Sequence, residues 1–202
     1  MTSSRTEVIE KGLSAALKLA EMRAWGDLTL AEIASEAGLT LKDFHGVADK
    51  ADLSAAIEPM FDAPMSEGSI SEDETPRTRL FDVIMMRFEA MEDTRDGAMS
   101  FLRWRDRSPA GLALRLRSRV ATAKWALTCS GLDKADGAAR QGLIAGVSWA
   151  IAQAERAWRK ETSADLTRTM AALDAELIRL EERINWIKGR RRTQPEAGGE
   201  PA

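Results

Sequence analysis

The chain has 202 residues, of which 44% are hydrophobic and 30% charged, and it carries a formal net charge of -3 with one Cys and one His. This length supports a buried core, whereas the single Cys and His exclude a disulfide framework and a zinc site made from the usual ligands. Tyr is absent and Ala, Leu, Arg and Glu dominate, which predicts an all-α protein. We expect it to be cytoplasmic, because no leader and no apolar run long enough to span a bilayer is visible.

The N-terminal residues predict three short helices. The first begins at Arg5, shows one apolar stripe and is expected to end at Trp25-Gly26. Two more begin at about residues 30 and 41, where TLAE and TLKD form capping boxes, and Gly38 lies between them, where the turn needs a positive φ. The residues expected to bury the inner faces of this pair are Ile33, Ala34, Ala37, Leu39, Phe44 and Val47. The pattern predicts a helix-turn-helix, the alternative being an ordinary two-helix corner packed on a third helix.

The rest of the chain divides into a connecting segment and a helical body. A fourth helix is predicted from Lys50 to Phe61, and the acidic stretch 62–76, broken by Gly and Pro, predicts a linker. The expected division is a helix-turn-helix domain at 1–49, a connecting helix and linker at 50–75, a ligand-binding and dimerisation domain at 76–188 and a disordered tail at 189–202. Six arginines surround a predicted corner of the body, and we interpret most of them as a solvated face that would also suit an anionic head group: Arg103, Arg105, Arg107, Arg115, Arg117 and Arg119.

The last predicted helix has the most regular spacing in the chain. From Leu166 to Ile187 its apolar residues alternate steps of four and three, a seam that requires a partner helix. That partner is either the preceding helix of the same chain or a four-helix bundle across a homodimer, and both can hold. The residues assigned to the dimer interface are Val147, Ile151, Trp158, Leu166, Met170, Leu173, Leu177, Leu180 and Ile184.

The order of these elements, with TLAEIASEAGLT at the turn and Lys50 opening the fourth helix, resembles the TetR family of regulators. The resemblance implies a TetR-like fold of about nine helices and a homodimer that binds operator DNA and a small hydrophobic ligand. The implied DNA contacts are Thr29, Thr40, Leu41, Lys42, His45 and Lys50, the amine of Lys50 touching phosphate. The implied ligand-cavity residues, which are ordinary core in the alternative interpretation, are Met85, Phe88, Trp104, Trp125, Cys129 and Trp149.

The recognition helix departs from the family pattern. Its sequence LKDFHGVADK lacks the usual tyrosine and is one residue short, and residues 1–60 carry six Lys or Arg against ten Asp or Glu, which opposes attraction to phosphate. The body stretches RLFDVIMMRFEAM and DLTRTMAALDAEL are similar to a proteobacterial branch of TetR-like regulators.

Two functions are therefore predicted. The first is a ligand-responsive repressor acting as a homodimer. The alternative is a lipid-binding accessory protein of the ubiquinone-biosynthesis type, which resembles a TetR body without DNA binding and touches the membrane through a terminal helix, here Trp186 to Arg192. Catalysis and a cofactor are not expected, because the Cys129 and His45 pair would join distant parts of the chain and no glycine-rich phosphate loop is present.

Overall fold

The computed structural model describes residues 4–68, 73–163 and 165–193, with side chains as far as Asn185. Over these ranges the chain forms nine α-helices: α1 (Arg5–Met22), α2 (Leu30–Glu36), α3 (Leu41–Phe44), α4 (Lys50–Asp62), α5 (Pro76–Glu92), α6 (Arg95–Arg107), α7 (Pro109–Cys129), α8 (Gly137–Trp158) and α9 (Thr167–Thr193). Two 3₁₀ turns, Trp25–Asp27 and Ala63–Ser66, complete the regular structure, and no strand occurs in these ranges. The predicted all-α class is confirmed.

Parts of the predicted linker, tail and membrane segment fall outside the described residues. The middle of the predicted linker, the tail after residue 193 and the side chains of the predicted membrane segment from Trp186 to Arg192 are outside the described residues. Among the helices of the described part, none combines the length and the apolar character needed to cross a membrane.

The helix-turn-helix forms where its capping residues predict. Thr29 Oγ1 accepts the Glu32 N–H at 3.2 Å and the Glu32 carboxylate accepts the Thr29 N–H at 2.8 Å, so two otherwise unpaired donors at the start of α2 are satisfied. Gly38 makes the turn with a φ of +66°. Phe44 is buried against α1, where the missing side chain of Gly12 leaves room for its ring. The helix α3 ends at Phe44 after a single turn, because Gly46 follows with a φ of +73°.

The N-terminal helices pack on the body through α1 and α6. At Gly97 in α6, a Cβ atom would lie 2.3 Å from the Leu17 carbonyl oxygen of α1, so the two backbones approach more closely than any other residue allows. The first helix ends at Met22, not at the predicted Trp25-Gly26, and Trp25 is fully buried in the 3₁₀ turn that follows. Its backbone N–H donates to Ser100 Oγ of α6 at 3.0 Å.

The helices α8 and α9 pack on each other, and most of the predicted dimer residues are buried within the single chain. Six of them are at most 4% exposed in this single chain: Val147, Ile151, Trp158, Leu166, Leu173 and Leu177. These six side chains are therefore, as placed, not available to a second copy, and Trp158 contacts Glu92 of α5 and Arg95 of α6. Leu166 also precedes α9 with a φ of +54°, whereas Met170, Leu180 and Ile184 remain partly exposed on the helix.

Candidate functional site: the helix-turn-helix face and the charged core

The predicted DNA contacts at the two helix starts are exposed, but some of their polar groups are already hydrogen-bonded within the helix-turn-helix. The hydroxyl groups of Thr29 and Thr40 each donate to the carboxylate of their own capping box at 2.7 Å. Leu41 is exposed and apolar. Lys42 and His45 are exposed too, and their side chains make no hydrogen bond or salt bridge within the described residues. Of the six predicted contacts, these two present free polar groups to solvent.

Lys50 is placed differently from the contact that the family resemblance implies. Its amine donates to the carbonyl oxygen of Gly26 at 2.9 Å and also to that of Leu28. Burial lowers the pKa of Lys50, against the raising effect of the nearby carboxylates of Asp27 and Glu32. The amine therefore ties the first residue of α4 to the turn before α2, and in this structure it is not offered to a phosphate.

The surroundings of the helix-turn-helix are acidic. The hydrogen bond from Arg23 and those from Thr29 hold the pKa of Glu32 at about 2, and hydrogen bonds from Thr40 lower the pKa of Asp43. Both carboxylates are thus ionised at neutral pH. Arg23 is paired with Glu32, and Lys18 is paired with a glutamate of α2, so these two cations neutralise local carboxylates instead of adding positive potential.

The six predicted ligand-cavity residues do not gather around one space. Met85 and Phe88 are buried core, and the ring of Trp104 packs on Trp25 with centroids 6.4 Å apart. Trp125 is partly exposed and donates through Nε1 to the Asp62 carbonyl, Cys129 is half-buried, and Trp149 is exposed and donates to Glu176. A surface groove of ≈ 320 Å³ and a small pocket of ≈ 10 Å³ are both lined by other residues.

A cluster of buried charges in the body was missed by the sequence interpretation. The Arg105 side chain has no exposed surface and bonds to Glu58 of α4 and, at 2.7 Å, to Glu155 of α8. Arg87 of α5 bonds to the second Glu58 oxygen and to Asp62. The interpretation of Arg105 as part of a solvated face is wrong for this residue, since its side chain is fully buried and bonded to carboxylates of α4 and α8. One signal was present, because Arg87 lies within the apolar stripe of α5.

In the charged core, ion pairs and hydrogen bonds oppose the effect of burial on the pKa values of the carboxylates. Burial alone would raise the pKa of Glu155, but the attraction and hydrogen bond of Arg105, with the charges of Arg159 and Arg119, lower it to about 2. Burial raises the pKa of Asp62, against the attraction of Arg87 and a 2.7 Å hydrogen bond from Thr122. These ion pairs join α4, the helix that follows the helix-turn-helix, to α5, α6 and α8.

Comparisons with family models and with curated proteins give no match. Among solved structures, the chain is similar to the crystal structure of a TetR transcriptional regulator from Rhodococcus sp. RHA1, with a TM-score of 0.59 and 13% sequence identity, over 84% of this chain and 93% of that chain. At this identity the similarity establishes the arrangement of the helices and nothing finer. The chain therefore has a TetR-like fold.

Proposed function

We propose that this chain is a TetR-fold protein that binds a lipid through its helical body and does not use its helix-turn-helix to read DNA. The observation that carries the proposal is the chemistry of the helix-turn-helix face. Lys42 and His45 are its free polar contacts, while Thr29, Thr40 and Lys50 are bonded internally. DNA affinity comes largely from cations that neutralise phosphates, and residues 1–60 have an excess of four acidic side chains over basic ones.

The outer face of α7 supports a lipid ligand. Leu112, Leu116 and Val120 are exposed apolar residues at steps of four, so they form one row on the helix surface. The same helix carries Arg115 and Arg119. An apolar row beside cationic side chains offers a lipid both a surface for its acyl chains and partners for an anionic head group. This composition agrees with the resemblance to the ubiquinone-biosynthesis accessory type.

Two measurements on one preparation test the proposal. Mass spectrometry of an organic extract of the purified protein should show a co-purifying lipid, and fluorescence anisotropy with the DNA upstream of the coding sequence should show no salt-dependent binding. Tight binding to that DNA by a protein free of lipid would refute the proposal.

The second candidate is a ligand-responsive regulator that binds DNA as a homodimer. The specific observation in its favour is the intact helix-turn-helix, with both capping boxes, the Gly38 turn and an exposed Lys42. If this candidate holds, Lys42→Ala should weaken operator binding for every sequence and reduce the slope of log affinity against log salt by about one. An unchanged slope would exclude Lys42 as a phosphate contact.

A further inference from the structure

Two arginines of α7 have hydrogen-bond donors that nothing in the described part of the chain satisfies. Arg115 and Arg119 are four residues apart, and their side chains are 31% and 27% exposed. The Nε atoms of both are buried without a hydrogen-bond partner in the described residues. Arg115 reaches Asp106 at 3.4 Å, and Arg119 approaches Glu155 no closer than 3.8 Å. The buried Nε atoms cannot reach a ligand at the surface, so an external acceptor would meet the exposed parts of the two side chains.

The neighbouring carboxylates are already engaged by other arginines. Asp106 pairs with Arg159 at 2.6 Å and Glu155 pairs with it at 2.7 Å, and both also bond to Arg105. Burial lowers the pKa of Arg119, and the charges of Arg105 and Arg115 lower it further, against the attraction of Glu155. Glu155 and Asp106 also act to raise this pKa, but both carboxylates are shared with Arg159, so a bound anion would add a partner for Arg119 that it does not have to share.

An apolar row lies beside these arginines. Leu112, Leu116 and Val120 are 41%, 68% and 41% exposed. Arg115 follows Leu112 by three residues and Arg119 follows Leu116 by three, a spacing that makes them surface neighbours on a helix. One exposed surface of α7 therefore combines an under-paired cationic pair with a continuous apolar strip.

We propose that Arg115 and Arg119 bind the phosphate of an anionic phospholipid whose acyl chains lie along Leu112, Leu116 and Val120. The inference rests on the proposed lipid-binding function and names its binding surface. Planar guanidinium groups match phosphate oxygens in paired hydrogen bonds. The apolar row gives the acyl chains a surface that water otherwise covers.

The test is co-sedimentation of the full chain with vesicles of phosphatidylcholine, alone or mixed with phosphatidylglycerol. We expect the wild type to bind the mixed vesicles more tightly. Arg115→Gln with Arg119→Gln should weaken this binding roughly tenfold or more, since each basic residue near an anionic surface contributes appreciably. The matched control is Arg103→Gln with Arg117→Gln, which removes the same charge from exposed positions and should retain most of the binding. If the first double variant does not fold, as judged by circular dichroism, Leu116→Ser tests the same surface and should also weaken binding.

Three results would overturn the site. The first is an equal loss of vesicle binding in the two double variants, and the second is equal binding of the wild type to vesicles with and without phosphatidylglycerol. The third is calorimetric binding of inorganic phosphate combined with unchanged vesicle binding by Leu116→Ser. This third result would identify a free anion as the ligand. If Arg115→Gln with Arg119→Gln changes nothing but lipid still co-purifies, the site is wrong and the proposed function stands. If the wild type neither carries lipid nor binds vesicles, the proposed function fails as well.

Discussion

At the scale of single residues, Arg105 shows how much depends on one buried cation. Its guanidinium is the shared partner of Glu58 and Glu155. Arg105→Met keeps an apolar chain of similar length but leaves both carboxylates without this partner, so we expect the free energy of unfolding to fall by about 3–5 kcal/mol. Urea denaturation measures this loss. The exposed Arg103→Met on the same helix should change it by less than about 0.5 kcal/mol, and equal effects of the two would contradict the buried bridge.

The Glu155 carboxylate makes the stability depend on pH. Its pKa is lowered from 4.5 to about 2 in the folded chain, so its stabilising contribution is present above pH 4.5 and is lost as the pH falls towards 2. The pKa of Asp62 is raised, so Asp62 contributes in the opposite sense, favouring the fold when protonated and losing this contribution as the pH rises through its folded pKa. The melting temperature of Glu155→Gln should therefore fall less steeply between pH 4.5 and 2 than that of the wild type. Parallel curves would show that Glu155 does not titrate in this range.

At the scale of helices, the crossing of α1 and α6 depends on the absence of a side chain at Gly97. Gly97→Ala would place its Cβ atom against the Leu17 backbone, which cannot move as a flexible side chain can. We expect a loss of about 1–3 kcal/mol or more from forced separation of the two helices, measured by urea denaturation.

The control for this crossing is Gly142→Ala in α8. A Cβ atom at Gly142 meets nothing within 4 Å, and Ala is favoured over Gly in a helix by about 0.5–1 kcal/mol. The two variants should therefore change the free energy of unfolding in opposite directions. Two changes of the same sign would mean that helix propensity or backbone flexibility, and not the close approach, decides the effect at residue 97.

At the scale of the whole molecule, we propose a homodimer formed by the outer faces of α8 and α9. Trp149 is 54% exposed and Ile178 38% exposed, and aromatic side chains are enriched where protein surfaces associate. Trp149→Glu with Ile178→Glu should convert a dimer into a monomer in light scattering without changing the circular dichroism spectrum. Met22→Glu, an equally drastic change at an exposed position of α1, should leave the mass unchanged. A wild type that is monomeric at all concentrations would contradict the proposal.

Short-range signals in the sequence determined the fold class and the helix-turn-helix. The signals are the capping boxes at Thr29 and Thr40, the glycine at 38 and apolar residues at helical spacing. Each acts within a few residues along the chain, so it can be read directly from the sequence. The structure has nine α-helices in its described part, and Ile33 and Phe44 are buried as predicted.

Only the tertiary structure decided which neighbour packs on the apolar face of each helix. Periodicity predicts that Leu173 needs an apolar neighbour but does not say whether the same chain or a second chain supplies it, and here the single chain buries Leu173 completely. The enclosure of Arg105 and the turning of the Lys50 amine towards two carbonyl oxygens likewise depend on residues distant in the chain. Burial and ion pairing are properties of several helices together, and for that reason the sequence of a single helix gave one sign of the charged core, Arg87 in the apolar stripe of α5, but not its partners.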